Sequence, residues 1–129
     1  MNSEVSLNRI RLELARTPGF PTGSTWHGYD FVAPLSADGQ IDRDTWRQVK
    51  ELCHVTRFWG DAPEERGQFV HTGSGWGFKY PKGSDVARET LFKLDRHRLT
   101  PGGYVTITEP DGQQRPFRVV AMTPAILSS

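Results

Sequence analysis

Arg9-Ile10-Arg11-Leu12-Glu13-Leu14-Ala15-Arg16 alternates charged and apolar side chains. A period of two puts Ile10, Leu12 and Leu14 on one face of an extended chain, whereas a 3.6-residue period scatters them around a helix. The segment is therefore read as a strand with one wet face, and other segments must cover its apolar face. Candidates recur along the chain. Gly28–Leu35, Val55–Trp59, Gln68–Thr72, Trp76–Tyr80, Tyr104–Thr108 and Phe117–Met122 are short and rich in β-branched or aromatic residues. Pro34 places the second of these at an edge or near a strand end.

Turn chemistry separates the runs. Asp38-Gly39, Gly73-Ser74-Gly75 and Pro110-Asp111-Gly112 each supply a glycine where a tight reversal needs one. Asp61–Gly67 is charged and bounded by Pro and Gly, a solvated connection. Thr17–Gly28 reads as a loop, yet leaving its Phe20 and Trp26 in water forgoes about 1.5–3 kcal/mol for each. The loop is expected to pack over a barrel end or sheet face, and a functional counterpart is an aromatic lid over a pocket made by Phe20 and Trp26. One helix is expected at 43–53, capped by Asp42 or Asp44, with Trp46, Val49 and Cys53 on one side. Residues 84–99 read as a short helical turn and then a strand.

These elements predict a mainly β chain with one helix (α+β): a small, strongly bent antiparallel sheet or partly open β-barrel of about six or seven strands, with the helix at 43–53. The 129 residues suit a single domain, 1–129, with 1–7 and 124–129 frayed.

Charge and cysteine usage narrow the function. The formal net charge is +1, short of the basic excess with which duplex-DNA binders neutralise phosphates. A single cysteine, Cys53, allows no intrachain disulfide and no multi-Cys metal framework, and it reads as a small buried hydrophobe beside His54 rather than half of a Cys-His pair. The opening MNSEVSLNRI lacks a signal-peptide layout, and no apolar run reaches the roughly 18 residues of a membrane span. A cytoplasmic protein without membrane association is expected. His27, His54, His71 and His97 lack metal-ligand spacing, and Asp38-Gly39-Gln40 fails as a calcium loop because Thr45 stands where a bidentate Glu belongs. No catalytic or metal-binding set is expected.

Two stretches resemble known families. Gly75-Trp76-Gly77-Phe78-Lys79-Tyr80 resembles the aromatic signature of RNA-recognition motifs and cold-shock domains, with Ser74 where the family has Lys or Arg. That resemblance implies base stacking on Trp76, Phe78 and Tyr80. Arg96, His97 and Arg98, in the one basic cluster, would supply phosphate contacts. Residues 101–120, PGGYVTITEPDGQQRPFRVV, resemble the flavin-binding barrel of ferredoxin-reductase-type enzymes through Pro101, Gly102, Tyr104, Val105, Arg115, Pro116 and Phe117. That resemblance implies a flavin cofactor; Arg118 replaces the family's small hydroxyl residue. Neither covers the chain, and the favoured reading of Trp76, Phe78 and Tyr80 is the sheet's packing face, since period two alone puts them on one side. The expected function is a binding module for a protein partner or a second copy of itself, without a cofactor. Single-stranded nucleic acid is the alternative, and a flavin-dependent reductase the second alternative.

Overall fold

The computed structural model describes residues 5–73, 75–81, 89–91, 98–109 and 111–125. Among these, eight strands form a closed antiparallel barrel in which each strand pairs with its sequence neighbour and the last returns to the first. They are β1 (Ser6–Leu14), β2 (Ser24–Leu35), β3 (His54–Trp59), β4 (Ala62–Thr72), β5 (Gly75–Lys79), β6 (Glu89–Leu91), β7 (Tyr104–Thr108) and β8 (Gln114–Pro124). A short helix, α1 (Arg43–Val49), and a 3-10 turn, Lys50–Leu52, join β2 to β3. The β-rich, one-helix barrel is the class the sequence pattern predicts.

Alternation builds the interior. Ile10, Leu12 and Leu14 of β1 are buried, as are Tyr29, Phe31, Ala33 and Leu35 of β2, while Arg9, Arg11 and Glu13 take the other face. Tyr29, Phe31, Phe69, Phe78 and Phe117 are fully buried and touch one another at ring-centroid distances of 5.0–6.0 Å. Rings and aliphatic side chains thus fill the centre. A lipid-facing wall would need the reverse order, apolar out and polar in. Among the described residues, no helix is long and apolar enough to cross a membrane.

α1 is capped as expected: the Asp42 carboxylate accepts from Thr45 N–H at 3.0 Å. Trp46 is its buried residue, donating Nε1–H to the Phe69 carbonyl at 3.0 Å. The helix is shorter than 43–53. It tightens at Lys50 and ends before Cys53, whose backbone (φ −91°, ψ 77°) already leads into β3. Cys53 is nevertheless fully buried.

Other differences follow from pairing that local composition does not report. Residues 62–67, expected as a connection, are the first half of β4, because Arg57 and Glu65 pair across the β3–β4 ladder and Glu64 and Arg66 stand exposed. β2 starts at Ser24, so Trp26 belongs to a strand and not to the loop. β6 gives the sheet its eighth member within 84–99; the helical turn expected at 84 lies outside the described residues. Pairing also reaches into the termini expected to fray, with Ala125 N–H donating to Leu7 O at 2.9 Å. Pro34 lies past the last β2–β3 pair, Phe31 with Val55, as its missing N–H requires. Gly39 turns the chain at φ +87°, and a Cβ there would stand 2.4 Å from Leu99 O.

Candidate functional site

The rings singled out in the sequence face inward. Trp76, Phe78 and Tyr80 are 3, 0 and 7% exposed. Trp76 stacks on Phe69 (4.7 Å, 11°) and meets Trp46 edge-on at 5.2 Å; Phe78 packs against Tyr29 and Phe31. The Trp76 and Phe78 faces lie against other rings and Tyr80 is buried, so the three form no open stacking platform. Arg96 and His97 lie outside the described residues. Arg98 is exposed and pairs with Asp38 at 3.7 Å, near the turn that Leu99 closes on Gly39.

Phe20 and Trp26 separate instead of closing one pocket. Phe20 is half-buried against the His27 ring at 4.8 Å, at the mouth of the barrel. Trp26, one residue before His27, projects from the opposite face of β2 and is 74% exposed. Alternation along β2 sets this, with Tyr29 and Phe31 inside and Trp26, Gly28 and Asp30 on the outer side; a bulge then frees the segment from β1. β1 pairs Glu13 with Gly28 and Leu14 with Ser24, leaving Thr25, Trp26 and His27 without partners on β1. Such an insertion bends the strand. The Ser24 hydroxyl braces it, accepting from Trp26 N–H at 3.1 Å and lying 2.7 Å from His27 Nδ1.

Beside the mouth, Glu109 is a buried carboxylate held between two guanidinium groups. Arg115 binds one of its oxygens; Arg57 approaches the other at 3.5 Å and Tyr29 Oη donates to it at 3.4 Å. Arg57 lies over the Trp59 ring at 4.2 Å, and Arg115 also reaches Asp111. Burial lowers the pKa of His27, with Arg57 adding to the effect and Glu109 opposing it. This cluster ties β2, β3 and β8 to Glu109, the residue after β7. It also engages Arg115, one of the residues that carry the flavin resemblance. Cys53 is buried too, and burial pushes its thiol up to about 11, leaving it protonated at neutral pH. Among the described residues, no group of three His, Cys, Asp or Glu side chains could hold a metal ion.

The exposed aromatic residues gather elsewhere, on the outer wall from β7 round to β3. The registers pair Tyr104 with Arg118, Arg118 with Glu13, Glu13 with Gly28, and Gly28 with Phe58. These five residues form one row across five strands, about 19 Å long at roughly 4.8 Å per strand. Tyr104 is 61% exposed. Gly28 leaves a gap that neighbouring groups occupy: a Cβ there would stand 1.9 Å from Leu12 O and 2.9 Å from Phe58 Cζ. Arg11 crosses the row, its guanidinium 4.2 Å from the Phe58 ring centre and 2.9 Å from both Glu13 and Asp30. Burial pushes the Asp30 carboxyl above its usual range, against the pull of Arg11 and Arg9. Trp26 stands beside this row in a hollow with Arg11, Asp30, Phe58 and Glu64; Thr25 links that hollow to one lined by Glu13, Arg16, Tyr104 and Arg118.

Sequence reasoning did not find this surface, apart from naming Trp26. Alternation in Arg9–Arg16 already points Arg11 and Glu13 outward. What it lacks is the register that sets Tyr104, Arg118 and Phe58 beside them. No protein family, curated protein or solved structure matches the chain.

Proposed function

We propose that this protein is a binding module that works through the β7–β8–β1–β2–β3 wall, and that its partner there is a second copy of the chain. The observation that carries this reading is the ring of Trp26, three-quarters exposed at the side of the row that bears Tyr104, Arg118 and Phe58. Trp, Tyr and Arg are the residues in which interface binding energy concentrates. The wall also has balanced charge. Arg11, Arg16 and Arg118 face Glu13, Asp30 and Glu64, three of each sign. Two copies related by a two-fold axis can set cations of one wall on carboxylates of the other without net repulsion. The described strands close into a barrel, so the association proposed is face to face rather than by edge pairing.

The reading places the protein in the cytoplasm, where a lone, protonated, buried thiol is compatible with a reducing medium. Sedimentation velocity over a concentration series tests the self-association, with Trp26→Ser and Tyr104→Ser as the perturbations. Both rings are exposed, so the variants retain the fold while the dimer weakens. A wild-type chain that stays monomeric at high micromolar concentration overturns the reading.

A further inference from the structure

A second surface, on the outer face of β3, β4 and β5, carries different chemistry and does not depend on the interaction wall. The registers set His54, Gln68 and Lys79 side by side across the three strands, with Gln68 Nε2 3.1 Å from His54 Nδ1. Arg66 stands two residues from Gln68 on the same face of β4. Lys50, from the 3-10 turn, lies 5.9 Å from the centre of the Trp46 ring. Together they border a groove of about 720 Å³ whose apolar lining includes Trp46, Val70 and Tyr80.

The fixed charges lining the groove are Lys50, Arg66 and Lys79 against Glu51, three positive and one negative, hence +2. The whole chain carries only +1. Lys50, Arg66 and Lys79 are exposed, and none makes an ion pair with another described residue. A phosphate monoester, at about −1.5 to −2 near neutral pH, matches this charge. The groove falls within the roughly 300–1,000 Å³ of small-molecule sites and exceeds what a phosphate group fills, and its lining is in part apolar.

We propose that this groove binds a phosphate-bearing ligand with an attached ring, the chemistry shared by a mononucleotide and a short single strand of nucleic acid. The cations and the His54 and Gln68 side chains hold the phosphate, and the apolar lining takes the ring. Calorimetric titration with adenosine monophosphate, inorganic phosphate, adenosine and a short oligouridylate tests it. Adenosine monophosphate is expected to bind more tightly than inorganic phosphate, and adenosine to show little binding. Lys79→Gln and Arg66→Gln should each weaken the nucleotide by about tenfold or more, as loss of a charge-assisted hydrogen bond does. Arg118→Gln, on the other wall, should leave it unchanged. An oligouridylate that binds more tightly than the mononucleotide, with the same losses in the variants, identifies a nucleic-acid strand as the source; one that binds no better identifies a free nucleotide. The proposal is overturned if no phosphate-bearing probe binds, if adenosine binds as well as its monophosphate, or if the two variants bind like wild type while keeping its urea midpoint.

Discussion

Replacing Trp76 by Ala removes a ring that is 3% exposed and packed between Phe69, Trp46 and His71. Burying a tryptophan removes roughly 150–250 Å² from water, on the order of 4–6 kcal/mol at about 25 cal/mol per Å². Truncations of large core aromatics cost about 3–5 kcal/mol once partial collapse of the cavity is allowed for. We therefore expect Trp76→Ala to lose about 4 kcal/mol, a large share of the ~5–15 kcal/mol that holds a domain together. At a urea dependence of about 1.5 kcal/mol per M, that moves the midpoint down by about 2–3 M. Trp76→Phe, which keeps a ring against Phe69, should lose about half as much. Urea titration followed by circular dichroism reads both variants. A Trp76→Ala midpoint within about 0.5 M of wild type, with an unchanged slope, would refute the burial argument, because less than about 1 kcal/mol would then rest on the ring.

Two further predictions concern titratable groups. His27 has a folded pKa below its ordinary value of 6.5, so the unfolded chain takes up a proton there first. Its contribution to stability is intact above about 6.5 and is lost as pH falls from that value through the lowered folded pKa. His27→Gln should flatten that slope of urea midpoint against pH, and an unaltered slope refutes the assignment. The Cys53 thiol, raised to about 11 by burial, should react with a thiol reagent at pH 8 far more slowly in the native protein than in urea. Equal rates would contradict its placement in the core.

The sequence made the fold legible wherever the signal was local. Alternation in Arg9–Arg16 assigned β1 and its inner face, and the turns at Asp38-Gly39 and Asp111-Gly112 fell where the chain reverses. Composition misled wherever pairing overrode it. Glu64-Glu65-Arg66 looks like a solvated connection, but a strand on a barrel wall needs polar outward positions, and Glu65 has Arg57 across the ladder. Trp76, Phe78 and Tyr80 share a face in any strand; closure of the barrel makes that face the inside. Strand spacing alone cannot distinguish inside from outside. The wall that bears Trp26 was less legible, since Tyr104, Arg118, Glu13 and Phe58 come from four segments and only the register makes them neighbours. The bulge that frees Thr25, Trp26 and His27 from β1 comes from a register mismatch between β1 and β2, which neither segment reveals alone.

The most direct test of the interaction wall is the dissociation constant of the dimer, measured by sedimentation velocity for the native chain and for Trp26→Ser. Loss of a hot-spot tryptophan is worth at least about 2 kcal/mol, so the variant dimer should be weaker by about thirtyfold or more. The urea midpoint should stay close to that of the native chain, because the ring is 74% exposed in the single copy. A dimer of equal strength in both proteins, or no dimer in either, would contradict the account.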